Sequence, residues 1–568
     1  MINNINVKDL QMDYKIISPI MLWQDYNPTR QPLEVTILNM EVRGNLLIKE
    51  VVFTAETVAD GKIRAYAKLI LQRGEEKAPT FLYIPSALEP VEKGVFSEEI
   101  FKKGYNMVVI DFGGEAEGKT YFTTYPDSLA YCNCAKNKDN IFKPTIAENS
   151  PWYTWMKVIR RAVTLVCEEQ NVDREKIILL GITEGAQLAW SVAGIDGRIK
   201  AVIPVGASGY VEYFNKPKYA PDSVIELTDT LECWLAGIST QAYARMVMCP
   251  VLYLTGTNSV FSDIDRVNDL FALVPSKYKY LHFSPNTNQN ISLAGFQSAM
   301  VWLEYFLNGR GKEVVSPKLD TYVSEGKLYA SVKSINNYDK AEVYYATDEI
   351  YPAFRSWHLA DGLMKVGDDE CIVPISPYKE TANLFVFATV TYANGISLST
   401  QEIALNLKNL NITEFKSNLK TKSRFIYNSD MLTSTMSVET QYPIVDQSLM
   451  YMGKGASDIV GLGITKGKLC IYNIEPPEDR TDGTWIIQMD IYSEVAKDIV
   501  INAYTDEKGI VQYHHTISLL GSQKWQRVNL TCADFKTDDM RQLKDWSHVK
   551  KMKIINANNV LFNKMLWL

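Results

Sequence analysis

Hydrophobic and polar positions follow one rhythm in the first half of the chain and another in the second. Residues 51–54 and 63–71 have strand-like patterns, with Asp60-Gly61 between them as a hairpin turn. From residue 80 the pattern becomes short continuous apolar runs at 80–85, 107–112, 176–181, 201–206, 251–256 and 278–283. Segments with helical spacing appear at 152–169, 185–193 and 291–307; the last carries Phe296, Met300, Leu303 and Phe306 on one face. Continuous apolar strands alternating with helices predict a mostly parallel sheet covered on both sides. After Gly311 the helical period disappears. Residues 316–408 alternate in short strands, among them 327–332 and 382–390, enough for one immunoglobulin-like sandwich. A polar stretch at 409–422 opens a last β-rich region with strands at 485–491 and 499–504. The expected organisation is a β-rich extension at 1–75, an α/β domain at 76–315, and two all-β sandwiches at 316–408 and 409–568.

Composition narrows the class. A chain of 568 residues is too long for one hydrophobic core. Its net charge is −7 and no Lys/Arg run stands out, which argues against a nucleic-acid partner. No run approaches the roughly 18 apolar residues of a membrane span. The first residues lack a basic segment followed by an apolar one, so no secretory signal is expected. The eight cysteines are scattered. The closest pair, Cys132-Asn133-Cys134, lacks the CxxC spacing of a redox or zinc site. Scattered, apolar-flanked cysteines read as reduced core thiols, which fits a cytoplasmic protein; a processed extracellular enzyme stays open. Neither a metal nor a cofactor is expected.

The segment that carries chemistry is Gly181-Ile182-Thr183-Glu184-Gly185, between a buried strand and a helix. In a G-x-S-x-G elbow the glycines relieve crowding at a strained turn, and the central side chain projects above the sheet. The next amide, here that of Glu184, then helps to form an oxyanion hole at the helix N-terminus.

Residues 50–311 resemble the acetyl-xylan-esterase and cephalosporin-deacetylase-like branch of the α/β-hydrolases. The resemblance rests on pieces in a fixed order: Phe112-Gly113-Gly114-Glu115, residues 121–126, Pro151-Trp152-Tyr153-Thr154-Trp155, residues 233–238, and Cys249-Pro250-Val251-Leu252. It implies an α/β-hydrolase fold with Ser at the elbow centre, Asp just after Gly256-Thr257-Asn258, and His in the loop after the last strand. This chain departs at each position, with Thr183, Ser259 and Gln289.

No other residue restores the triad. The proton relay needs a base with a pKa near 7 within hydrogen-bond reach of the hydroxyl. The histidines are His282, His358, His514, His515 and His548, and only His282 lies in the hydrolase region. It falls inside the last strand, where a satisfied histidine in a sheet is the favoured reading. His358 would reach the site only if the next domain folded over it. Asp263 and Asp265 lie near the acid position, but an acid without a His orients nothing. Thr183 adds a methyl to the elbow and still needs a base.

The last domain loosely resembles the jelly-roll modules often found as carbohydrate-binding domains. Trp485, Trp525, Trp546 and Trp567 are candidates for stacking on sugar rings, although tryptophans in apolar strands are more often core. The favoured function is a catalytically impaired esterase relative that binds a carbohydrate or other small ligand, or acts as a scaffold. The alternatives are an active carbohydrate or small-ester esterase with an altered site, and a purely structural protein with a closed pocket.

Overall fold

A computed structural model describes residues 16–91, 97–137, 142–213, 216–220, 223–259, 262–287, 291–334, 338–366, 369–377, 381–415, 424–428, 436–439, 444–445, 449–471, 474, 476, 484–505 and 511–568. The chain divides into two compact units. The first runs to Phe214 and takes in Val224–Tyr253 and Arg266–Lys279; the second comprises Asn215–Ser223, Leu254–Asp265 and Tyr280–Leu568.

In the first unit β1 (Thr36–Arg43), β2 (Leu46–Val58) and β3 (Gly61–Gln72) form an antiparallel meander. Val58 pairs with Gly61, so the two-residue turn is Ala59-Asp60, one residue earlier than expected, and Gly61 opens β3. The sheet continues through β5 (Asn106–Ile110), β4 (Ala78–Ile84), β6 (Val172–Ile182) and β7 (Ala201–Val205) to the start of β8 (Val251–Gly256). β4 runs parallel to both β5 and β6, and β6 runs parallel to β7. These short strands are almost wholly buried, as continuous apolar runs require when helices cover the faces. Helix Pro151–Glu168 starts on a Ser150 cap with proline in its first turn, where a missing N–H costs nothing. It packs against β2, β4, β5 and β6, and helix Glu184–Ile195 packs against β4, β6 and β7.

In the second unit the end of β8 lies beside β9 (Lys279–Ser284), and Leu281 of β9 pairs with Ser399. Through that pairing the same sheet takes in Ser397–Ser399, Asn383–Tyr392, Tyr338–Thr347 and His358–Leu359. A separate antiparallel sheet holds Lys318–Ser324, Lys327–Lys333, Glu370–Ile375 and Met364–Val366. The C-terminal region forms two further antiparallel sheets, one centred on Leu561–Trp567 and one on Val549–Ile555. Their shared core includes Trp485, Trp546 and Trp567, so these three indoles are interior side chains. Trp525 is half-buried against Tyr492.

Helix Leu293–Asn308 also lies in the second unit. Ser292 caps its start, and Gly309 ends it in the left-handed region, at φ 62°. Among the described residues no helix is long and apolar enough to cross a membrane.

A buried ion cluster ties the second unit together. The guanidinium of Arg355, fully buried, donates Nη2 to Asp265 Oδ2 at 2.8 Å and Nη1 to Glu402 Oε1 at 3.2 Å. Replacing Arg355 by Leu strands two buried acids and is expected to cost about 3–5 kcal/mol. The control is Arg527→Leu, which breaks the exposed pair with Asp490 and should leave the transition in place. Urea-induced unfolding of the two variants checks the contrast, and equal midpoints would contradict it.

Candidate active site

The turn between β6 and helix Glu184–Ile195 is sharp. Thr183 has φ 52° and ψ −112°, a backbone region that β-branched residues rarely enter. Three hydrogen bonds hold it there. Its N–H donates to the Val205 carbonyl at 3.0 Å, and its carbonyl accepts from Ala186 and Gln187 N–H at 3.0 and 3.2 Å. The flanking glycines are steric requirements. A Cβ on Gly181 would lie 2.1 Å from the Gly185 carbonyl oxygen, and one on Gly185 would lie 2.0 Å from that of Ile84. This is the strand-turn-helix geometry that lifts an elbow side chain above the edge of an α/β-hydrolase sheet.

What surrounds the Thr183 hydroxyl was not legible in the motif. Its Oγ1–H donates to Glu184 Oε2 at 2.8 Å, and the Ser86 hydroxyl donates to the same oxygen at 2.7 Å. The motif points only to the Glu184 amide, yet its carboxylate engages the elbow hydroxyl. Ser86 lies two residues past the end of β4, a strand-end position that the apolar run at 80–85 marks.

The loop carrying Ser86 is pinned from beneath. The buried Lys119 ammonium donates to Asp111 Oδ1 at 2.5 Å, to the Ala87 carbonyl at 2.8 Å and to the Gly114 carbonyl at 3.1 Å. Asp111 Oδ2 accepts from Thr123 and Gly114 N–H at 2.7 and 3.2 Å. Burial pushes the Asp111 carboxyl up, against the opposing pull of Lys119. Phe112-Gly113-Gly114 is thereby built into the support of the loop after β4.

The other predicted positions fall in the second unit or outside the description. Gln289 lies outside the described residues. Ser259 is buried in the loop after β8. Beside it, Asn258 Nδ2 donates to the carbonyls of Ala353 and Arg355 at 3.1 and 2.7 Å, and Asp265 is held by Arg355. In the loop after β9, Asn286 Oδ1 accepts from Trp357 N–H and its Nδ2 donates to the Trp357 carbonyl, both at 2.9 Å. Polar groups of both loops thus bind the 353–357 segment. His358 is exposed, on a two-residue strand, with its ring beside Tyr345. His282 is buried within β9, its Nδ1 3.0 Å from the Ser397 carbonyl. Among the described residues no group of three His, Cys, Asp or Glu side chains could hold a metal ion.

No protein-family model matches the chain, and no curated protein matches it either. Solved structures similar to it include the acetyl xylan esterase from Paenibacillus sp. R4, at 16% identity and TM-score 0.38, covering 49% of this chain and 91% of that one. Acetyl xylan esterase 1 from Thermoanaerobacterium sp. JW/SL YS485 has 14% identity and TM-score 0.38, covering 52% and 96%. A glucuronoyl esterase from Solibacter usitatus has 13% identity and TM-score 0.33, covering 50% and 88%. The strand order and the elbow, not these likenesses, carry the fold.

The burial of His282 has a measurable consequence. Desolvation lowers its pKa below the ordinary 6.5, with the Ser397 hydrogen bond opposing in part. The unfolded chain regains the ordinary value, so between the two values it binds more protons than the folded one. Stability is therefore lost as pH falls through the unfolded value and levels off below the folded one. The melting temperature should fall more steeply from about pH 7 to about pH 5 in the unmodified protein than in His282→Gln. Parallel curves would refute the shift.

Proposed function

We propose that this chain is an α/β-hydrolase relative of the acetyl-xylan-esterase type whose elbow no longer performs ester hydrolysis, and that it binds a carbohydrate or small ester ligand or serves as a scaffold. In this reading Thr183, Ser259 and Gln289 occupy the triad-equivalent positions, and the Glu184 amide is what remains of the oxyanion donors. The two β-sandwich modules, 316–408 and 409–568, accompany it as separate domains.

One observation carries the reading: a single carboxylate oxygen of Glu184 accepts from both Thr183 and Ser86. Ester hydrolysis places negative charge on the carbonyl oxygen beside the nucleophile, where donors must meet it. A carboxylate at that place repels the developing charge instead. The Thr183 hydroxyl donates to this carboxylate and not to an imidazole, so Thr183 stays a poor nucleophile. The second reading, an active esterase with an altered site, draws on the same hydrogen bond, with Glu184 taking the proton.

Hydrolysis of p-nitrophenyl acetate and of acetylated xylan separates the two. We expect no rate above that of a Thr183→Ala control. Any residual rate should be shared by both proteins, since polarisation by amides alone survives the change. The triple variant Thr183→Ser, Ser259→Asp, Gln289→His is expected to gain activity where the single changes do not, because triad members act as a unit. Turnover that Thr183→Ala abolishes would overturn the proposal.

A further inference from the structure

A second cluster of hydroxyls and imidazole lies in the second unit. His282 Nδ1 is 3.0 Å from the Ser397 carbonyl oxygen, which can only accept. Nδ1 therefore carries the proton, and Nε2 presents a lone pair. Two hydroxyls face it, Ser292 Oγ at 3.2 Å and Ser284 Oγ at 3.4 Å. The neighbours set the direction. Ser292 Oγ accepts from the Gly295 N–H at 3.0 Å and from the Ser284 hydroxyl at 2.6 Å. Both its lone pairs are then taken, and its own hydrogen is left for His282 Nε2. The relay runs from Ser284 to Ser292, to His282, to the main-chain carbonyl.

Space and surroundings suit a reactive group. These side chains line a cavity of about 570 Å³ that also takes in Tyr344 and Trp357. Trp357 is 1% exposed, and its indole N–H has no hydrogen-bond partner among the described residues. Buried donors of this kind are rare unless a ligand or water meets them. Gly295 makes room for the imidazole: a Cβ there would lie 3.0 Å from His282 Cδ2. Ser292 caps helix Leu293–Asn308, so the first-turn amides of that helix lie next to its hydroxyl.

We propose that this cavity is a second reactive site, in which Ser292 is the nucleophile and His282 its base, acting on small acyl esters. Ser292 Oγ bonds to the acyl carbon as its hydrogen passes to His282 Nε2, and the carbonyl π-electrons move onto oxygen. That oxygen is met by the N–H groups of Leu293 and Ala294, which have no intrahelical acceptor. Collapse breaks the bond to the alcohol, which leaves with the proton from Nε2. Water then adds to the acyl-serine, His282 takes its proton and returns it to Ser292, and the acid departs. Burial, which holds the His282 pKa down, keeps the imidazole neutral and able to accept. The site is independent of Thr183.

The test is labelling of the full chain with an ethyl fluorophosphonate, read by intact mass and by tandem mass spectrometry. Attack forms an Oγ–P bond and expels fluoride. We expect one adduct, on Ser292, unaffected by Thr183→Ala and absent from Ser292→Asn, whose side chain still caps the helix. His282→Gln should slow labelling by about a hundredfold. No adduct, an adduct on Ser284 or Thr183, or an unchanged rate in a folded His282→Gln would overturn the proposal. Localisation in the unmodified protein decides it even where His282→Gln fails to fold. An adduct on Thr183 would also count against the silent elbow, whereas no adduct anywhere leaves that reading standing.

Discussion

The second unit is organised around one guanidinium. Arg355 is fully buried, its Nε donates to the Glu349 carbonyl at 2.9 Å, and its flat face lies 3.4 Å from the centre of the Phe385 ring. Around it sit Asp265, from the stretch after β8, and Glu402, beyond the strand Asn383–Tyr392. Burial, with the Asp265 charge behind it, pushes the Glu402 carboxyl well above the usual carboxylate range. A buried ion is tolerable only when its charge and hydrogen bonds are met, so each partner fixes the others' positions. The loops after β8 and β9 inherit that order through Asn258 and Asn286, whose amides bind the same 353–357 segment. Side chains spent on this clamp are not free to orient a catalytic base. Asp265, near the expected acid position, is held by Arg355.

The first unit solves a different problem, a strained backbone. A non-glycine residue at φ 52° and ψ −112° costs on the order of 1–3 kcal/mol. That strain is offset locally by the Thr183 N–H bond to Val205 and by the first turn of the helix, and sterically by two glycines that let β4 and the helix approach. The Lys119–Asp111 pair, with 0% and 2% exposed side chains, anchors the neighbouring loop through the Ala87 carbonyl. None of these contacts involves proton transfer. They hold the turn whatever side chain occupies its centre.

How much of this could be read beforehand followed the range of the interactions. The strands near 107–112, 201–206, 251–256 and 278–283 were legible because a strand buried on both faces must be apolar throughout. Helix Leu293–Asn308 was legible from its spacing; the Ser292 cap and Gly309 stop mark its ends. Helix Ile264–Leu273 is not among the expected elements, although Ile264, Val267, Leu270 and Phe271 carry the helical period over its ten residues. The pairing of Leu281 with Ser399 leaves no local trace, since it joins residues more than a hundred positions apart. The same holds for Glu184, whose carboxylate is aimed by Ser86 from 98 residues away. Of the C-terminal tryptophans, Trp485, Trp546 and Trp567 are core although Trp485 and Trp546 lie outside the strands, whereas Trp525, inside one, is only half-buried, so strand pattern alone does not mark the buried indoles.

The two histories of the elbow, steric and chemical, therefore come apart. Glycine at 181 and 185 is demanded by carbonyl oxygens about 2 Å from where a Cβ would stand, and that demand belongs to the packing of sheet against helix. Serine, acid and histidine are demanded only by a reaction. A G-x-T-x-G turn with intact glycines thus reports the fold with high specificity and the activity with almost none. Activity has to be read from where protons and charges lie. At Thr183 the hydroxyl donates to a carboxylate and a second donor shares the same oxygen. At Ser292 the hydroxyl donates to a neutral imidazole whose other nitrogen is fixed by a carbonyl. By that criterion the hydroxyl that faces an imidazole lies in the second unit, while the elbow motif by itself reports the turn.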